Sequence, residues 1–157
     1  DYGRQKRQKQ KVRFTYQISE KQFRNYIKEA LSKKGGSPAG KLHEVLETRL
    51  DNIVYRLGLA PTRGASRQMV SHGHIDINGK RTTIPSYKVS IADKISIRAR
   101  SKDKPLFSNI DKSLEIASTP NWLKFDKSKK EAIVSSLPEK PLDGALDLHS
   151  VIEFYSR

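Results

Sequence analysis

Arg63 and Arg67 are four residues apart, so a helix through them sends both guanidinium groups out of one face. That planar fork suits phosphate or carboxylate oxygens. Lys80 and Arg81 follow directly on Asn78-Gly79, a pair that accepts the positive φ of a tight hairpin turn at both positions. Arg49 and Arg56, on the preceding apolar run, are spaced to flank the same surface. The chemistry on offer is anion binding. Other chemistries lack their parts. There is no cysteine, hence no thiolate nucleophile, disulfide or cysteine metal site. His72 and His74 are two residues apart across Gly73, but a metal site would need a third ligand, so they read as hydrogen-bonded or RNA-facing. His43 and His149 stand apart from them. No glycine-rich phosphate loop follows a strand, and Ser66, Ser71 and Ser101 have no elbow or oxyanion context. Asp51, beside Arg49 and near Arg56, reads as an orienting partner for arginine rather than a general acid. Asp76 stands alone. No catalytic residue, metal or cofactor is expected.

The elements that must place these cations are legible in the spacing. Leu50, Ile53, Val54 and Leu57 recur at helical period, and Gly58 is a helix stop. Pro61-Thr62 opens a second helix, with Thr62 as N-cap, Ala65, Met69 and Val70 as its apolar side, and Gly73 at its close. Ile75 and Ile77 alternate as a half-buried strand, and Asn78-Gly79 turns it back. The expectation is two short helices packed on a small sheet, with cations on the second helix and on the hairpin.

Charge is concentrated at these places. The net charge is +14 over 157 residues. Residues 1–13 hold six Lys or Arg against one acid, and residues 49–107 hold twelve against four. The rest of the chain is close to balance, so the focused charge points to a polyanion partner. No segment has the strong apolar face of a membrane-surface helix, and no apolar run approaches the roughly 20 residues of a membrane span, so nucleic acid is favoured over a membrane. With no secretory signal at the start, cytoplasm is the expected location.

Residues 1–13 read as a basic arm, with Arg4, Lys6, Arg7, Lys9, Lys11 and Arg13 placed for phosphate contact. Ser19 to Lys34 reads as a helix with a Ser19–Gln22 capping box and an apolar stripe of Phe23, Ile27, Ala30 and Leu31; Phe23 and Tyr26 read as core rather than base-stacking residues. Lys41 to Leu57 reads as one long helix shared by two domains, which argues for firm contact between them. Lys88-Val89 and Ile95-Ser96-Ile97 read as strands around an Ala92-Asp93 turn, with a basic run of Arg98, Arg100, Lys102 and Lys104 beyond. A short helix from Asn109 or Asp111 to Ala117, an aromatic knot of Trp122, Leu123 and Phe125, a strand at Ile133-Val134, a loop marked by Pro138 and Pro141, and a last helix from Asp147 to Tyr155 complete the reading.

The combination of Arg49-Leu50-Asp51, Arg56-Leu57-Gly58, Thr62-Arg63, Arg67-Gln68, His72-Gly73-His74-Ile75, Asn78-Gly79 and Pro85-Ser86-Tyr87 resembles the RNA-binding module of the bacterial small-subunit ribosomal protein four family. Trp122-Leu123 and the ending Glu153-Phe154-Tyr155-Ser156-Arg157 extend the likeness over essentially the whole chain. Ser66 departs from it, since the family usually has alanine there, and the family's further basic arm has no counterpart before Asp1. The resemblance implies an α+β fold: a discontinuous helical domain with an inserted module of two helices on a short, mostly antiparallel sheet. In residues, this means a helical domain at 1–48, the module and its extension at 49–130, and a returning segment at 131–157. It implies a non-enzymatic constituent of the small ribosomal subunit that binds a multi-helix junction in the 5′ domain of small-subunit rRNA, nucleates assembly and contributes to decoding accuracy. The neighbouring small-subunit ribosomal protein five and, for some members, the protein's own mRNA are the other implied partners. Matching motifs add Thr62, Ser66, His72, Asn78 and Tyr87 to the RNA-facing set. Similar modules also occur beside RNA-modifying domains and in heat-shock-type binders of stalled ribosomal particles. The former need an appended catalytic domain and the latter are little more than the module, so the helical flanks favour the ribosomal protein.

Overall fold

The computed structural model describes residues 1–138 and 146–156; the loop mark at Pro141 and the terminal Arg157 lie outside them. The helices are α1 (Tyr2–Tyr16), α2 (Glu20–Ser32), α3 (Pro38–Glu47), α4 (Leu50–Arg56), α5 (Arg63–Ser71), α6 (Ile110–Ile116) and α7 (Leu148–Tyr155). The strands are β1 (Ile75–Ile77), β2 (Lys80–Arg81), β3 (Lys94–Ile97), β4 (Leu123–Asp126) and β5 (Glu131–Val134). Two units divide the chain: Asp1–Glu47 with Pro138–Arg157, and Thr48–Leu137. No described helix is long and apolar enough to cross a membrane.

The first unit is helical. The basic arm is not an arm. Asp1 caps α1 by accepting from Gly3 N at 3.1 Å, and the helix buries Gln5, Lys9, Val12 and Tyr16, one every three to four residues. A glutamine and a lysine at two of these turns hid the stripe from an apolar count. Ser19 caps α2 through Gln22 N at 3.1 Å. Phe23, Tyr26, Ile27 and Ala30 are buried as expected, but Leu31 is exposed. Leu42 and Leu46 of α3 and Leu148 and Val151 of α7 share their core. A proton-sensitive clamp joins α1 to α7. The carboxylate of Asp147 accepts from Ser150 Oγ and Arg4 Nη2, both at 2.7 Å, and from Ser150 N at 3.1 Å. These donors, Ser150 first, hold its pKa down to about 2. Because the folded value lies below the unfolded one, the stabilisation is complete above the unfolded pKa and is lost as pH falls towards 2. We expect urea melts followed by circular dichroism to lose about 1–2 kcal/mol from this group between about pH 5 and about pH 2.5. Asp147→Asn should show a correspondingly smaller loss over that interval; an identical loss would assign the acid sensitivity elsewhere.

The second unit packs α4, α5 and α6 against an antiparallel five-stranded sheet of order β2-β1-β3-β5-β4. Alternation puts Ile75, Ile77, Ile95, Ile97, Ala132 and Val134 in its core. Asn78 and Gly79 take φ of 52° and 81° between paired Ile77 and Lys80, the two-residue turn expected. Three boundaries differ from the sequence reading. The long helix is broken: Arg49 is extended, with φ −63° and ψ 139°. Here Leu50 N and Asp51 N donate to Tyr87 O and Pro85 O (2.9 and 3.1 Å), and Thr48 O accepts from Val89 N at 2.9 Å. Those long-range bonds replace the helical ones, and the argument for firm contact through a continuous helix falls with it. Lys88 forms only a single bridge to Arg49, not a strand. Finally, the aromatic knot is strand β4, and β5 pairs with both β3 and β4, so the module reaches Leu137 rather than residue 130. Trp122 is buried in this core, in keeping with its structural reading.

Candidate nucleic-acid interface

The interface is organised on a buried carboxylate. Asp51 Oδ1 accepts from Arg49 Nε at 3.0 Å and from Asn52 N at 2.7 Å, and Oδ2 accepts from Arg49 Nη2 at 2.9 Å. Arg49 is only 3% exposed, so this arginine is an internal strut and leaves the candidate surface. Arg67 Nε approaches the same carboxylate at 3.8 Å, but its side chain is 45% exposed. One carboxylate thus anchors one arginine inside and steadies another at the surface. A single oxygen-rich partner shared in this way pre-orients a cation for an external anion.

Helix α5 sets the direction of that surface. Thr62 accepts from Ala65 N at 3.0 Å, the cap expected of it. Arg63 is half-buried. Its Nε donates to Asn52 Oδ1 at 3.0 Å, and its guanidinium lies 4.4 Å from the centroid of the Tyr55 ring, an attractive geometry for a cation. Ser66 is fully buried. Its Oγ lies 2.7 Å from Asp51 O and 2.8 Å from Arg63 O, so the hydroxyl that departs from the family's alanine ties α5 to α4 and does not face RNA. Arg56 is half-buried in the last turn of α4.

The other cations approach from the far end of α5. Lys80 and Arg81 are exposed. Arg81 donates from Nε to Gly73 O and from Nη2 to His72 O, each at 3.4 Å. Gly73 sits at φ of 80°, the left-handed region that favours glycine, and a Cβ there would push the Arg81 guanidinium aside. His72 is exposed. Asn78 has an internal role instead, since its side chain donates to Asp93 Oδ1 and accepts from Lys94 N, both at 2.9 Å. Tyr87 is 38% exposed on the turn whose carbonyls cap α4, at the same helix end as Asp51.

The N-terminal candidates divide similarly. Lys9 is buried against Glu20 at 2.6 Å, and Arg13 reaches Glu20 at 3.4 Å. Arg4 holds Asp147 and Ser150. Lys6, Arg7 and Lys11 are exposed on α1. Arg100 and Lys104, in the basic run at 98–104, are also exposed.

Two short helices on an antiparallel sheet, with a tight cationic hairpin at the end of the second, define the class of protein module called the S4 domain, which matches residues 48–95. Residues 1–47 match the Ribosomal protein S4/S9 N-terminal domain. Across its full length the chain is 44% identical to the small ribosomal subunit protein uS4 of Herpetosiphon aurantiacus, covering 75% of that protein. It is 42% identical to uS4 of Levilactobacillus brevis and 41% identical to uS4 of Chlorobium phaeovibrioides, covering 78% and 77% of them. The chain belongs to the uS4 family of small ribosomal subunit proteins.

Proposed function

We propose that this protein is a structural, non-enzymatic constituent of the small ribosomal subunit in the cytoplasm, and that it binds small-subunit rRNA through the exposed cations of its S4 domain. The observation that carries the reading is the Asp51 anchor, which holds Arg67 at the surface of α5 within a module whose other end presents Lys80 and Arg81. The finer reading is a multi-helix junction in the 5′ domain of that rRNA, recognised by backbone shape rather than base edges. Early binding there nucleates assembly. Contact with the neighbouring ribosomal protein five and an influence on decoding accuracy complete the proposal, with the protein's own mRNA as a further ligand.

Footprinting on total small-subunit rRNA tests the location: protection confined to one junction supports it, and diffuse protection removes it. A salt series tests the physics. Each neutralised phosphate contributes roughly 0.7–0.9 to the slope of log affinity against log salt. Arg67, Lys80 and Arg81 alone therefore predict a slope steeper than about −2, and a flat response would remove phosphate contact as the source of affinity.

A further inference from the structure

We propose that the C-terminal end of α5, the β1–β2 hairpin and the turn after β3 form a phosphate-binding subsite in which Arg81, Lys104 and His72 surround His74, and that its ligand is an RNA backbone phosphate. The identity of the ligand rests on the reading above; the anion site does not. Three segments converge here. His74 Nδ1 lies 2.8 Å from Ser101 Oγ. Arg98 N donates to His74 O, and Ser101 N donates to Arg98 O, both at 2.8 Å, which fastens the turn Ala99–Ser101 to the end of α5. Lys104 N donates to Ser101 O at 3.0 Å, and Phe107 N donates to Lys104 O at 2.9 Å. The Phe107 ring meets His74 edge-on at 6.1 Å, and the rings of His72 and His74 are 6.4 Å apart. Arg81 arrives from the hairpin.

The carbonyls at a helix C-terminus would ordinarily repel an anion. Here Arg81 donates to those of His72 and Gly73 and screens them. Burial is the largest cause that holds the His74 pKa below the ordinary histidine value, and the neighbouring Lys104, His72 and Arg81 act in the same direction. The acids in these segments are Asp76, opposite Arg81 in the ladder, and Asp103, two residues past Ser101. A phosphate seated among the cations reverses the local field. His74 then takes up a proton more readily, so anion binding strengthens as pH falls through its titration range.

The test is a histidine NMR titration of the full chain in sodium sulfate and in sodium chloride at matched ionic strength, with sulfate as the probe. The pKa of His74 should rise in sulfate, while that of His149, exposed on α7, stays put. Arg81→Gln plus Lys104→Gln should abolish the rise, with an unchanged circular dichroism spectrum as the folding control. No rise, an equal rise at His149, or a rise that survives in the folded variant overturns the site. On small-subunit rRNA the same variant should bind about tenfold more weakly at acid pH and lose the gain in affinity on acidification. Unchanged rRNA affinity beside a positive sulfate result overturns RNA phosphate as the ligand. A wild-type chain that does not bind rRNA at all overturns the broader reading and leaves the sulfate result to judge the site.

Discussion

Asp51→Ala is expected to cost about 3–5 kcal/mol of folding stability, the range for removing one partner of a buried ion pair. The carboxylate is 4% exposed and pairs with Arg49, whose side chain is 3% exposed. It also accepts from Asn52 N at 2.7 Å at the first turn of α4. Alanine removes these bonds together, takes one counter-charge from a buried guanidinium and frees the Asn52 N–H in the first turn of α4. Urea melts provide the measurement. Asp51→Asn is the informative companion, because it keeps the shape and an acceptor oxygen but removes the charge, and it should fall between wild type and alanine. A double variant adding Arg49→Leu should be less unstable than the sum of the singles, since the stranded charge is gone. A cost below about 1 kcal/mol for Asp51→Ala would show that the pair is solvated and would remove the organising role assigned to it.

The second large effect is on binding. Arg67→Ala with Lys80→Ala and Arg81→Ala should leave the far-ultraviolet spectrum intact and weaken rRNA binding by about 3–5 kcal/mol, summing exposed charge-assisted contacts to phosphate. The choice of residues comes from the structure. From spacing, Arg63 with Arg67 is the natural pair, but Arg63 bonds Asn52 and packs over Tyr55, so replacing it would confound binding with packing. A charge-matched control, Lys21→Ala with Lys28→Ala and Lys34→Ala, removes three exposed lysines from the helical unit. It should cost little beyond the general electrostatic term. Equal losses in the two variants would show that net charge alone, rather than this face, governs binding.

Local features of the module were legible because local chemistry decides them. Asn78-Gly79 takes positive φ at both positions for reasons contained in two residues, and the Thr62 cap depends on a hydroxyl three residues from its donor. The orienting role of Asp51 was legible too, since its partner Arg49 is two residues away. Less legible were features whose partners lie far along the chain. Residues 1–13 look like a solvated arm until Glu20, Asp147 and Ser150 are brought against Lys9 and Arg4. Only then do Gln5 and Lys9 count with Val12 and Tyr16 as one face of a helix. The periodicity from Lys41 to Leu57 is truly helical, and nothing within it announces the break at Arg49, because the carbonyls that replace the helical ones belong to residues 85–87.

By itself, the sequence determined that this protein presents focused positive charge on a helix and a hairpin, that it lacks the parts of an active site, and that its module has the S4-domain pattern. Residue types and short spacings are sufficient for each of these. Only the tertiary structure decided which cations stand exposed. Arg49, extended just before α4, and Arg67, on α5, have the same side chain, and both reach Asp51. Burial separates them, because burial depends on what the rest of the chain lays over each residue, and that is not encoded in the residue or its immediate neighbours.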